Sequence, residues 1–187
     1  MPRFVVRRRS AMVAAAVSVL GLALSVPASA VSHPSVAVGG TSSLDAIACP
    51  TSVKCVAVGS DVDGNAKTAV VEVGSGAATA WSGKVPPSPF DSIACAVPTV
   101  CVAFSLDQSA RVSTASGAAS IVSTVHAPSG SITALDRAAC PSASECFAVG
   151  FIGTEAHSKA LVARFSATGT LLGTVEESGK SGVGAIA

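Results

Sequence analysis

Cysteines are the residues of this chain whose spacing points most directly to chemistry. An even number of cysteines in an exported chain is typical of disulfides, and two cysteines beside a short turn can face each other across a hairpin. Zinc is the disfavoured alternative, because it gathers four ligands at shorter spacings. We therefore predict three disulfides, each between cysteines with five residues between them: Cys49–Cys55, Cys95–Cys101 and Cys140–Cys146.

Three aspartates share a position relative to these cysteines. Asp45, Asp91 and Asp136 each stand four residues before the first cysteine of a pair. If the repeated units surround a central channel, carboxylates at one mouth of that channel could bind a cation or a sugar hydroxyl. We therefore treat the three aspartates as candidate binding residues. Aspartate also caps turns by bonding nearby backbone, and its repetition in every unit favours that alternative.

The other polar candidates give no catalytic site. Asp61, Asp63, Asn65 and Glu72 fall at positions 1, 3, 5 and 12 of a calcium loop, but Gly64 falls at position 4 rather than 6, which favours a hairpin turn. The three histidines have no fixed acidic or nucleophilic partner with which to build a triad. Trp81, the single tryptophan, is expected to pack rather than to stack on a sugar. We predict no catalytic residue, no metal and no cofactor.

The first thirty residues predict a secretory signal peptide. Arg3 and Arg7 to Arg9 make the start positive, residues 11–24 are apolar, and Ala28 and Ala30 are small residues suited to a cleavage site. The apolar run of fourteen residues is shorter than the roughly 20 that a membrane span needs. We predict cleavage after Ala30, secretion by the general secretory rather than the twin-arginine pathway, and no membrane attachment afterwards.

Charge argues against a nucleic-acid partner. Beyond residue 30 the chain has three arginines and five lysines against eleven acids, so the net charge changes from +1 for the whole chain to about −3. A nucleic-acid-binding domain needs a basic surface to neutralise phosphates, and no basic stripe is present here.

The elements that must position these residues repeat along the chain. Cys49, Cys95 and Cys140 are 46 and 45 residues apart, and each unit holds short β-branched runs separated by Gly, Ser and Pro. The second run of each unit is apolar at consecutive positions, so both of its faces should be buried. Four strands per unit predict an all-β fold, a β-propeller of four-stranded antiparallel blades, with a β-solenoid as the rival. The predicted organisation is a signal peptide (1–30), an N-terminal strand and linker (31–43) and propeller repeats (44–187), divided into blades 44–89, 90–134 and 135–182 and a stub, 183–187.

The repeat resembles the cysteine-containing units of secreted bacterial, especially actinobacterial, β-propeller proteins. Residues 47–59 and 139–150 carry the resemblance, with a pattern close to Ile-Ser-Cys-Pro-Ser-Ala-x-x-Cys-x-Ala-Val-Gly. The unit is similar, more distantly, to the BNR-type blades of sialidase-like propellers. The middle copy departs from the pattern at Ala96 and at Phe104-Ser105. Sialidase chemistry is not implied, since that family uses a tyrosine nucleophile and this chain has no tyrosine.

The last residues, Val183 to Ala187, match Leu44 to Ala48, where a fourth unit would begin. Three blades are fewer than the four to eight of typical propellers. We therefore expect an incomplete ring of three blades and a truncated fourth, from a truncated reading frame or a fragment, with self-association to complete the ring as an alternative. The predicted function is that of an exported, non-enzymatic binding or scaffold module whose partner is an extracellular protein or glycan. A carbohydrate-binding or glycoside-hydrolase-like propeller is the second hypothesis, and a non-functional remnant is the third.

Overall fold

A computed structural model describes residues 37–81, 88–154 and 156–177, which form three four-stranded antiparallel sheets. The first sheet contains β1 (Ser43–Ala48), β2 (Lys54–Ser60), β3 (Ala66–Glu72) and β4 (Ala78–Ala80). The second contains β5 (Ser92–Val97), β6 (Val100–Ser105), β7 (Gln108–Ser113) and β8 (Ala119–Thr124). The third contains β9 (Ile132–Ala139), β10 (Glu145–Gly153), β11 (Ser158–Ser166) and β12 (Leu171–Glu177). The described residues include no helix long and apolar enough to span a membrane.

Strand order within each sheet follows the chain, so each sheet is an up-and-down meander built by three consecutive turns. Contacts join β5 to both β1 and β9, so the first strands of the three sheets are neighbours. The sheets pack face to face and do not close into a barrel. The predicted fold class, an all-β, incomplete propeller-like arrangement of four-stranded sheets, is confirmed. The predicted signal peptide and the stub at 183–187 lie outside the described residues.

Each of the three predicted disulfides is present and closes the first hairpin of its sheet. The Cα atoms of Cys49–Cys55, Cys95–Cys101 and Cys140–Cys146 are each 3.9 Å apart. In the second sheet the two cysteines are direct partners in the ladder between β5 and β6. The pairing predicted from spacing is therefore confirmed, and no free cysteine occurs among the residues described.

The sheets pack through two unlike faces. We call the face that bears the buried cysteine of the second strand the cysteine face, and the other face the reverse face. One apolar cluster joins Val56 and Val58, on the reverse face of the first sheet, to Cys101 and Ala103 of the second. The next cluster joins the reverse face of the second sheet to the cysteine face of the third, with Val102 and Phe104 packed against Cys146, Ala148 and Phe165. One type of interface, reverse face to cysteine face, therefore occurs twice.

A hydrogen bond recurs at each of these interfaces. Thr68 Oγ1 of β3 donates to the carbonyl oxygen of Gly117, which lies in the turn before β8. Ser109 Oγ of β7 donates to the carbonyl oxygen of Gly169, in the turn before β12, at 2.6 Å. Both hydroxyl residues are fully buried, so each bond satisfies a donor that water cannot reach. Gly117 and Gly169 have φ of 72° and 94°, a backbone conformation that glycine adopts without steric cost.

Burial on both faces of the second strand is confirmed for the first two sheets. In β2 and β6 every residue from Cys55 to Val58 and from Val100 to Ser105 is buried. In β10, Phe147 and Phe151 are only partly buried. Phe147 and Phe151 lie on the reverse face of the third sheet, which no other sheet covers in the part of the chain described.

The departure of the middle copy from the repeat has a structural cause. In the first and third sheets the first strand bulges, and a side chain at Gly59 or Gly150 would collide with the carbonyl oxygen of Ser43 or Ala134. The equivalent residue of the second sheet is Ser105, which has no partner in β5, because β5 begins only at Ser92, opposite Phe104. A side chain therefore fits there, although the Ser105 hydroxyl is buried without a partner.

Two predicted strand boundaries need correction. The sequence predicts a short N-terminal strand over residues 35–38, of which 35 and 36 lie outside the described residues. Ala37 and Val38 are not in a strand, and the carbonyl oxygen of Val38 accepts bonds from Thr41 in a turn. The sequence predicts the fourth strand of the first unit over residues 77–85, whereas β4 ends at Ala80 and pairs with β3 over three residues. The remainder of that prediction, residues 82–85, lies outside the described residues.

Candidate functional site

The three repeated aspartates lie at equivalent positions of the three neighbouring first strands, within β1 and β9 and directly before β5. Asp45 and Asp136 are the extra residues at bulges in β1 and β9, between Leu44 and Ala46 and between Leu135 and Arg137. Asp91 directly precedes β5, and its backbone N–H donates to the carbonyl oxygen of Phe104 at 2.9 Å. The three aspartates that repeat in the sequence therefore belong to neighbouring strands, and Asp91 belongs to the middle sheet.

The charges of Asp45 and Asp136 act on the carboxylate of Asp91. The pKa of Asp91 is raised, first by burial, and further by the negative charges of Asp45 and Asp136. A hydrogen bond from the backbone N–H of Leu106 acts in the opposite direction and lowers the pKa. The site is therefore a small acidic cluster, which we call the acidic rim, in which the central member resists ionisation.

Local hydrogen bonds orient the members of the acidic rim. Ser43 Oγ donates to Asp45 Oδ2 at 3.1 Å, and the Leu106 N–H bonds the Asp91 carboxylate. At Asp136 the backbone carbonyl, not the side chain, accepts a bond from Arg137 Nη1 at 2.9 Å. The turn-capping alternative therefore fits Asp91 in part, because its carboxylate accepts a backbone N–H. Asp45 and Asp136 lie at bulges rather than in turns. Their role in binding stays a prediction.

The rim lacks the geometry of a metal centre. Within the described ranges, no three His, Cys, Asp or Glu side chains are placed so that they could hold a metal ion. What the rim offers is a set of oxygen acceptors close to solvent, since Asp45 and Asp136 are exposed. Such acceptors suit an ammonium, a guanidinium or a hydroxyl donor on a partner.

An apolar groove adjoins one end of the rim. It lies on the cysteine face of the first sheet, has a volume of about 460 Å³, and includes Asp45 in its lining. Its apolar lining comes from all four strands of that sheet and the turn before β4, among them Leu44, Ile47, Ala57, Val71 and Ala78. Sequence reasoning missed this groove, because it depends on which face of the first sheet is left uncovered.

The turn considered as a calcium loop is held together by its own side chains. Asp61 Oδ1 accepts the backbone N–H groups of Asp63 and Asn65 at 3.0 and 2.9 Å. The Asn65 side chain also bonds Asp61, and Lys67 Nζ lies 3.6 Å from Asp61 Oδ2. These contacts lower the pKa of Asp61, and the hydrogen bond from the backbone N–H of Asn65 has the largest effect. Its oxygens are thus engaged by donors of a hairpin turn, the structure that the glycine position favoured.

The remaining candidates are not brought to the rim. His126 and His157 are exposed in separate turns, and His33 lies outside the described residues. Trp81 packs against the cluster between the first and second sheets, as expected. Thr68 and Ser109 were missed, because they lie thirteen and eight residues after the second cysteine of their units. The recurring hydroxyl-Gly pair of the turns, Ser75-Gly76, Ser116-Gly117 and Thr168-Gly169, is the sequence signal that could have revealed the interface.

Comparison with known proteins adds no assignment to this geometry. No protein-family model matches the chain, and a search of curated proteins finds no significant relative.

Proposed function

We propose that this chain is an exported β-propeller-type module that binds a partner outside the cell and performs no catalysis of its own. The supporting observation is its construction. Each sheet is closed by its own disulfide, and each is joined to the next through the same hydroxyl-to-glycine bond. This construction yields a rigid scaffold that presents the acidic rim.

Two features support the compartment and the family. Three disulfides suit an oxidising environment, and residues 1–30 have the order of a cleavable signal peptide. The cysteine repeat resembles those of secreted actinobacterial-type propellers, and we place the chain with them on that resemblance.

The acidic rim is the surface that we propose contacts the partner. Burial and like charge raise the pKa of Asp91, so keeping a carboxylate there at neutral pH opposes folding. Groups retained under such unfavourable electrostatics cluster at functional sites. A protein partner is favoured over a glycan, because the single tryptophan packs between sheets and does not offer a stacking platform.

Affinity capture tests this proposal. The protein is immobilised and exposed to extracellular proteins from cultures of its source, and in parallel to a glycan array. A variant with Asp45→Asn, Asp91→Asn and Asp136→Asn should bind the captured partner at least about 10-fold more weakly, the loss expected when charged hydrogen bonds are removed. Asp63→Asn, at an exposed turn, is the matched control and should bind normally. Partner binding that survives the triple substitution, or capture by glycans alone, would contradict the proposal.

A further inference from the structure

Two faces of the structure have no sheet against them among the described residues. They are the cysteine face of the first sheet and the reverse face of the third. The exposed fractions of two equivalent isoleucines show the effect of the missing sheet. Ile93 is 6% exposed on the cysteine face of the second sheet, where the first sheet covers it, whereas its equivalent Ile47 is 59% exposed on the first sheet.

The reverse face of the third sheet also bears exposed apolar residues, beside an ion pair between Arg164 and Glu145. Val162 of β11 occupies the place of Thr68 and Ser109, counted by pairing from the cysteine of the neighbouring strand. Val175, its direct partner in β12, is 64% exposed. A valine at the donor position means that this face cannot make the hydroxyl-to-glycine bond of the two internal interfaces.

The two uncovered faces are of the two kinds that pair inside the chain. Reverse face packs on cysteine face at both internal interfaces, and neither interface joins like faces. Charge is complementary as well. Arg137 is exposed on the reverse side of β9, opposite Val149, while Asp45 lines the groove on the first sheet.

We propose that a second copy of this chain covers both faces, head to tail, and closes a ring of six sheets. The third sheet of each copy packs on the first sheet of the other, so that two equivalent contacts close the ring and leave no face uncovered. Six sheets fall within the four to eight of known propellers. Ile47 of one copy and Val175 of the other become buried. This assembly does not depend on the binding role of the acidic rim.

Sedimentation and native mass spectrometry of the exported protein test the assembly. The expected mass is that of two copies at micromolar concentration. Ile47→Glu and Val175→Glu should each raise the dissociation constant at least about 10-fold, because each buries an unpaired carboxylate in a contact. Val62→Glu, at a turn residue that is 86% exposed, is the matched control and should leave the dimer intact. All three positions are exposed in the single chain, so the fold is retained, and circular dichroism checks this.

Mixing the two interface variants distinguishes head-to-tail pairing from pairing of like faces. In a mixed dimer, the unaltered Val175 of the Ile47→Glu copy faces the unaltered Ile47 of the Val175→Glu copy, so one of the two contacts is intact. The mixture should therefore form mixed dimers under conditions in which each variant alone is monomeric. A monomeric wild-type protein, an open series of higher masses, or a dimer that resists either substitution would overturn the proposal.

A gain of affinity tests the register of the contact. Val162→Thr restores a hydroxyl at the position of Thr68 and Ser109, facing the carbonyl of Gly76, the equivalent of Gly117 and Gly169. One net hydrogen bond at each contact should lower the dissociation constant at least about 5-fold. An unchanged or weaker dimer would show that the contact does not follow the internal interfaces.

Discussion

At the scale of single residues, the acidic rim combines burial with repulsion at Asp91. Position relative to the first cysteine was enough to single out Asp45, Asp91 and Asp136, because one repeat position becomes one structural position. It did not reveal that Asp91 alone is partly buried and precedes its strand, while its two equivalents are exposed at bulges. The difference accompanies the local path of the first strand, which bulges at this position in β1 and β9, whereas β5 begins only after it.

The raised pKa of Asp91 makes a prediction about stability. The folded chain holds a proton at Asp91 more tightly than the unfolded chain, so ionisation opposes folding above the folded pKa, and this effect vanishes below the ordinary pKa. Asp91→Asn should therefore stabilise the protein at neutral pH, by no more than about 1 kcal/mol because the charges are partly screened. Asparagine keeps an oxygen for the Leu106 N–H.

Thermal unfolding between pH 7 and pH 3 measures this effect. The advantage of Asp91→Asn should shrink as the pH falls toward the ordinary pKa of aspartate. A destabilised Asp91→Asn variant at pH 7 would mean that the carboxylate stabilises the fold.

At the scale of elements, each of the twelve strands in the described residues overlaps one of the short β-branched runs of the sequence, because turn residues separate these runs. Boundaries were less predictable. The first and last strands of the third sheet, β9 and β12, are longer than the runs that predicted them. The reason is that β10 and β11 are nine residues long and give their neighbours more backbone to pair with. The contacts between sheets could not be predicted, because the turn between the second and third strands differs in length from unit to unit and disguises the equivalence of Thr68 and Ser109.

The hydroxyl-to-glycine bond carries a prediction at this scale. Thr68→Val keeps the shape of the side chain but leaves the buried carbonyl oxygen of Gly117 without its donor. The free energy of unfolding should fall by about 1–3 kcal/mol, the cost of leaving a buried polar group unpaired. Chemical denaturation measures it, with Thr79→Val in exposed β4 as a control that should change stability by less than about 0.5 kcal/mol. An equal effect of both substitutions would contradict a specific role for Thr68.

At the scale of the whole molecule, repetition accounts for both the regularity and the uncovered faces. The same two faces meet at each internal interface, so a linear run of sheets leaves one face of each kind exposed. The period of the cysteines predicted the run of units. Which faces remain open, and that Val162 stands where a hydroxyl bond would otherwise form, follows only from the register of the strands.

Three sheets, each with a disulfide across its first hairpin, form the fold, and we propose that the chain is exported. Mass spectrometry of protein recovered from culture medium, intact and after digestion without reduction, tests it most directly. We predict an N-terminus at Val31 and a mass reduced by two hydrogens for each of the three disulfides, with every cysteine linked to the partner in its own hairpin. Protein that stays in the cell with residues 1–30 attached, carries free thiols, or links cysteines of different sheets would contradict the account.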